Sequence, residues 1–233
     1  MNAPAAMQKD AGSPAESDSP RTLAEALPVF LRHGSPRIVL AATGLAVIAR
    51  LAVGTWSLGD LVAVAALAVY WPLQEWLIHV FILHSQPLQL FGRRLDFRVP
   101  RKHREHHRRP WDIPILFIPV HSLLYTIPLL VGLWLLLAPT RAIALTGITA
   151  HLVLTLHYEW VHFLVHTRVQ PRSARYQRLW RNHRLHHFKN EHYWFGVTML
   201  SGDRLLRTAP AVQDVPTSPT ARSLGSAGPR PVR

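Results

Sequence analysis

Ten of the 15 histidines in this chain fall into four tight sets. The sets are His79 and His84, then His103, His106 and His107, then His162 and His166, and finally His183, His186 and His187. Neutral imidazole is the commonest metal ligand in proteins. On an α-helix, residues i, i+3 and i+4 share a face. Each H-x-x-H-H run is therefore expected to aim three imidazoles at one point, and His162 with His166 to aim two. His79 and His84 are five apart, about 140° around an ideal helix. They either serve different metals or sit where the helix loosens.

Ten nitrogen ligands shared by two metals give five each, with one octahedral position left open on each. Imidazole suits iron, zinc, copper or nickel. A structural zinc site is closed and four-coordinate and has no use for so many ligands. Two redox metals with open positions suit dioxygen activation, although zinc can occupy such a site in isolated protein. A membrane metalloprotease needs H-E-x-x-H. The nearest run here, His157-Tyr-Glu159-Trp-Val-His162, has both spacings wrong.

The elements that must carry these histidines are apolar. The chain is 233 residues long, 48% hydrophobic and 17% charged. A bilayer core needs about 20 apolar residues of helix. Four stretches approach that length: Ile38–Trp56, interrupted by Arg50, then Leu61–Leu83, Ile113–Ala138 and Ala142–Val165. Two tight turns join them pairwise. The longer segments 85–113 and 167–207 hold eight and nine Lys/Arg. That asymmetry follows the positive-inside rule and predicts that both basic segments and both termini are cytoplasmic. The net charge of +13 then reads as a face set against anionic lipid rather than a nucleic-acid footprint. All four histidine sets lie near that one boundary, where ten buried imidazoles would be costly without partners.

With no cysteine, disulfides, Fe–S clusters, thiolate-bound haem and cysteine-built zinc fingers are excluded. The expected architecture is all-α: a polytopic membrane protein with four transmembrane helices and a cytoplasmic helical cap carrying a dinuclear metal site. Residues 1–36 and 209–233, rich in Ala, Pro and Ser, read as a disordered lead and tail. Residues 37–208 read as the membrane-embedded domain. The Ala- and Arg-rich composition points to a bacterial inner membrane.

The histidine order H-x4-H, H-x2-H-H, H-x3-H, H-x2-H-H resembles the fatty acid hydroxylase and sterol desaturase superfamily. The flanking residues resemble its fatty acid hydroxylase branch: Glu75-Trp-Leu-Ile-His79, His106-His107-Arg-Arg-Pro110-Trp-Asp112, and Tyr158-Glu159 before His162. Phe195-Gly196-Val-Thr198 and Asp203-Arg-Leu-Leu-Arg-Thr208 are similar to that branch's closing run. Gly202 stands where the family usually has tryptophan, and Leu206-Arg207 where it has phenylalanine and glycine.

The resemblance, over residues 70 to 208, implies an integral-membrane enzyme with two iron ions held by the ten histidines and O2 as co-substrate. It implies hydroxylation of an unactivated C–H bond in a lipid acyl chain, with electrons from a separate reductase or small redox protein. A carotenoid or sterol hydroxylase or desaturase is the near alternative. A non-enzymatic metal-binding or transport protein is the distant one, but a transporter would be expected to carry polar ligands at the bilayer midplane.

Ligating histidines donate their other N–H to a carboxylate or carbonyl. Glu75, Asp112 and Glu159 are the expected acceptors, with Glu105 and Asp203 behind them. Arg104, Arg108, Arg109 and Arg184 are candidates for an anionic headgroup. Outside the four sets, His33 is expected to be exposed. His121 and His151 are expected to make helix–helix hydrogen bonds, His157 to lie behind the ligands, and His192 to be a reserve ligand.

Overall fold

The computed structural model describes residues 19–225. The chain is mostly helical. The helices are α1 (Leu23–Arg32), α2 (Gly34–Val53), α3 (Leu58–Leu77), α4 (Arg98–Arg108), α5 (Val120–Leu137), α6 (Arg141–Val165), α7 (Ala174–Phe188) and the short α8 (Ser201–Leu205). One departure from an all-helical chain is a small antiparallel hairpin, β1 (Leu88–Leu90) with β2 (Arg93–Leu95). Phe91 and Gly92 turn it with φ of 50° and 73°, the left-handed pair that a two-residue hairpin loop requires.

Among the described residues, three segments are long and apolar enough to cross a membrane: Gly34–Val53, Leu58–Leu83 and Ile113–Leu137. The chain is a multi-pass membrane protein. The expected fourth span, α6, is not among these three. At 25 residues α6 is long enough, but it is the central helix, packed against α2, α3, α5 and α7. Protein rather than lipid covers much of it, so its sequence tolerates His151, Glu159 and His162.

Arg50, which interrupts the first apolar stretch, is buried and paired with Asp60 at 2.9 Å. It also donates to Thr146 at 2.6 Å and lies 3.6 Å over the Trp56 ring. A charge inside a span persists when it faces the bundle and is paired. This one ties α2, α3 and α6 together at the end opposite the histidines.

Within the described residues, 19–36 and 209–225 differ from the disordered lead and tail expected of them. Thr22 caps α1 by accepting from Glu25 N–H, and Phe30 packs against Phe117, Trp160 and Phe163. Residues 209–225 run back to the segments that follow α7 and precede β1. Ser218 N donates to Lys189 O at 2.7 Å, Asn190 to Pro216 O at 3.2 Å and Gln86 to Leu224 O at 2.8 Å. Most of these tail contacts use backbone groups, so an Ala/Pro/Ser composition conceals them. Residues 1–18 and 226–233 lie outside the described residues.

Candidate metal centre

The ten histidines come together as two groups of five. The first holds His79, His84, His103, His107 and His186, and the second His106, His162, His166, His183 and His187. Within each group the donor atoms lie within 4.8 Å of one another. The two basic segments therefore meet at one end of the bundle.

The partition corrects the expectation that each H-x-x-H-H run serves one point. On a helix, i+3 and i+4 project about 100° apart, on either side of residue i. In α4, His103 and His107 enter the first group and His106 the second. In α7 the assignment reverses, with His183 and His187 in the second group and His186 in the first. Helices α4 and α7 thus each contribute to both groups. The end of the second candidate span supplies His79 and His84 to one group, and α6 with its C-terminal residue supplies His162 and His166 to the other.

His79 and His84 meet because the helix loosens between them, the second of the two expected possibilities. Residues Ile78–Leu83 wind as a π-helix, and His84 N donates to His79 O at 3.1 Å. An i→i+5 ladder brings residue i+5 round to the face of residue i. The two ring centroids are 4.9 Å apart.

Whether these residues fit metals is tested by their unused nitrogens. All five Nε2 atoms of the first group are buried without a hydrogen-bond partner. In the second group, Nε2 atoms face one another across a common centre. His106 lies 3.1 Å from His187 and 3.2 Å from His162, and His183 lies 3.1 Å from His166 and 3.0 Å from His187. Ligands about 2.1 Å from one ion at right angles lie about 3.0 Å apart. The residues present fit two metal ions.

Protonation agrees. Burial holds the His107 imidazole down at about 3, against the pull of its own hydrogen bond. Burial, reinforced by neighbouring imidazoles, likewise holds His103, His106, His183, His186 and His187 well below their ordinary value. These rings are neutral at pH 7, the form that ligates.

Four rings are oriented from behind by backbone carbonyls rather than carboxylates. Nδ1–H of His79 donates to Phe195 O at 2.8 Å, His107 to Ala221 O at 2.8 Å, His186 to Tyr193 O at 2.8 Å and His162 to Leu116 O at 3.1 Å. The acids act one step further back. Glu75 accepts from Trp71 Nε1, from the Thr198 hydroxyl and from the N–H groups of Val197, Thr198 and Met199. Asp203, raised by burial, accepts from Phe195 N at 2.9 Å and Gly196 N at 2.7 Å. Together they brace the loop whose Phe195 carbonyl turns His79. Glu159 accepts from Ser35 at 2.6 Å and from Ile118 N at 2.9 Å, fixing the segment that carries Leu116 O. Asp112 pairs instead with Arg109, as does Glu105. No residue type in the sequence marks which carbonyls serve. Asn182, whose side chain donates to Gly196 O at 3.1 Å, was signalled only by its place on the buried face of α7.

Other expectations also meet the structure. His151 accepts a hydrogen bond from Gln74 at 3.0 Å, joining α6 to α3. His121 is half-buried in the first turn of α5 and His157 is exposed on α6, both outside the two groups. His33 is half-buried against Phe117 rather than exposed. His192 is 72% exposed beside Glu191 and belongs to neither group. Arg104 is turned inward, away from any headgroup, and Arg184 lies over the Trp180 and Trp111 rings. Gly202 fits where tryptophan would not, since even a Cβ there would stand 2.4 Å from Pro72 O. Arg207 occupies a left-handed conformation, φ 58°.

The chain is similar to known proteins in sequence and in fold. A dihydroceramide fatty acyl 2-hydroxylase, FAH2, from Arabidopsis thaliana is 27% identical over 144 residues. The match covers 61% of this chain, and this chain spans 58% of that relative. The solved structure described as full-length Scs7p, with only the hydroxylase domain visible, superposes with a TM-score of 0.61 at 21% identity, over 89% of this chain and 73% of that one. The family model for fatty acid hydroxylases matches residues 64–208, the stretch that holds every histidine of both groups. The chain belongs to the fatty acid hydroxylase family.

Proposed function

We propose that this protein is a membrane-bound di-iron oxygenase that hydroxylates an unactivated C–H bond of a lipid acyl chain. The observation that carries the reading is a cavity of about 350 Å³ that reaches both histidine groups. It is lined by His103 of the first group and by His106 and His162 of the second, and otherwise mainly by apolar side chains such as Val39, Ile78 and Leu123. That volume lies within the range of small-molecule sites, about 300–1,000 Å³, and the walls suit a hydrocarbon rather than a polar metabolite.

Two iron ions bound by the ten histidines would supply the oxidation, with O2 giving one oxygen atom to the alcohol and the other to water, and electrons arriving from a separate donor. The chain's own residues do the rest. Neutral imidazoles offer their Nε2 lone pairs, and the carbonyls of Phe195, Tyr193, Leu116 and Ala221 hold four of the rings in orientation. The apolar walls exclude water and present one carbon of the chain. By analogy with the dihydroceramide fatty acyl 2-hydroxylase relative, the carbon oxidised lies near the acyl head. The positive-inside pattern supports a cytoplasmic metal end with both termini on that side, as in a bacterial inner membrane.

The test is metal content per chain in protein purified from iron-supplemented cells, alongside lipid mass spectrometry of expressing cells. Two metals per chain and acyl lipids heavier by one oxygen are the expected results. A metal-free chain, or a product built on a ring system, overturns the reading.

A further inference from the structure

The hairpin β1–β2 leaves the bundle where the second span ends, and its two faces differ. The register pairs Leu88 with Leu95, Gln89 with Arg94 and Leu90 with Arg93. Cross-strand partners share a face and successive residues alternate. Leu88, Leu90, Leu95 and Arg93 therefore lie on one side, and Gln89 and Arg94 on the other. The apolar side is largely open among the described residues: Leu88 is 57% exposed, Leu90 49%, and Phe91 at the turn 95%. In water a two-stranded hairpin is marginal at best, and an apolar surface of this kind invites aggregation.

The hairpin is nevertheless held firmly at its base. Arg104, buried between His103 and His106, donates Nη1 to Ser85 O at 2.7 Å and pairs with Asp96. One guanidinium thus joins both roots of the hairpin to the helix that carries three of the site's histidines. Leu83 and Val99, on the segments entering and leaving the hairpin, both line the cavity.

We propose that this hairpin is a lipid-binding element. Its apolar side and Phe91 sit among acyl chains at the membrane boundary, and Arg93 and Arg94, followed by Arg98 and Arg101, meet anionic headgroups. Basic residues beside an apolar surface suit a bilayer of that charge, and the end of a span places the hairpin at headgroup depth. Through Arg104, the bilayer fixes the height of α4 and of the cavity beside it.

The chain has no cysteine, so Leu90→Cys and Gln89→Cys each create a unique labelling position. Each variant is labelled with bimane and placed in nanodiscs of phosphatidylcholine with phosphatidylglycerol. The Leu90→Cys label is expected to lose most of its emission to lipid brominated along the acyl chain and to resist aqueous iodide. The Gln89→Cys label is expected to do the reverse. Omitting phosphatidylglycerol, or introducing Arg93→Gln with Arg94→Gln, should weaken the bromolipid quenching, and quenching unchanged by both overturns the headgroup assignment. Equal quenching of both positions by iodide overturns the proposal. Shielding of the Leu90→Cys label from both quenchers also does so, and would assign the surface to a second copy of the chain. Phe91→Cys, at the exposed turn, repeats the measurement should Leu90→Cys not fold.

Discussion

His107 donates its Nδ1–H to the carbonyl of Ala221, 114 residues away, at 2.8 Å. The family match ends at residue 208, so a segment beyond it orients a histidine of the first group. Thr220 binds Glu191 alongside, and Ser218 holds Lys189 O.

Ending the chain at Val215 should therefore weaken metal binding in the group that contains His107 and spare the group that contains His106. Loss of such an orienting hydrogen bond typically lowers metal affinity about 10–100-fold. Titration with a chelator, reading metal per chain, is expected to show one ion released early in the truncated protein and both released together in the full chain. Thr220→Val, which removes one anchor, should shift the same curve less far.

The division of the ten histidines makes a second prediction. His107→Ala and His187→Ala each remove a donor from a different group, and each is expected to lower the metal content from two per chain toward one. The double variant should approach zero. Metal analysis after gel filtration checks this, and full occupancy in either single variant would contradict the partition.

Arg207 supports a stability prediction. Its backbone is left-handed, φ 58°, which costs a side-chain-bearing residue roughly 1–2 kcal/mol, whereas glycine adopts it freely. Arg207→Gly should stabilise the folded protein by about 1 kcal/mol. Thermal unfolding in one detergent, compared with the parent chain, reads the difference.

Acid should destabilise the metal-free protein. A buried imidazole such as His107 titrates at about 3 in the folded chain against an ordinary value of 6.5. Below pH 6.5 the unfolded chain takes up protons that the folded chain refuses, so stability falls with falling pH. The loss is about 1.4 kcal/mol per unit for each such histidine. Above pH 6.5 both states are neutral at these groups and the curve flattens. Unfolding temperatures measured from neutral to acid pH should fall throughout, and a flat acid limb would contradict the burial.

The residues of the site were legible from type and spacing, but their assignment was not. His103, His106 and His107 announce a metal site, yet which ring serves which ion depends on the 100° between neighbouring helical positions and on where α7 lies. The spacing of His79 and His84 hinted at loosened winding without fixing it. The acceptors behind the rings were invisible because a carbonyl belongs to every residue. Glu75 and Glu159 stood out as buried acids, but they hold loops rather than imidazoles. At the fold level, apolar length alone could not separate α6, buried by protein, from the three segments suited to lipid.

All ten donors of the two groups are uncharged, and no carboxylate belongs to either. In carboxylate-rich di-iron bundles, glutamates bring negative charge to the metals. Here the ligands bring none, so two dications would keep their whole charge until something from outside offsets it. Net charge around a metal centre helps set its reduction potential, and histidine in place of an anionic ligand raises it. By withholding anionic ligands, the chain would make reduced ions easy to keep and any oxidised state a strong acceptor of electrons.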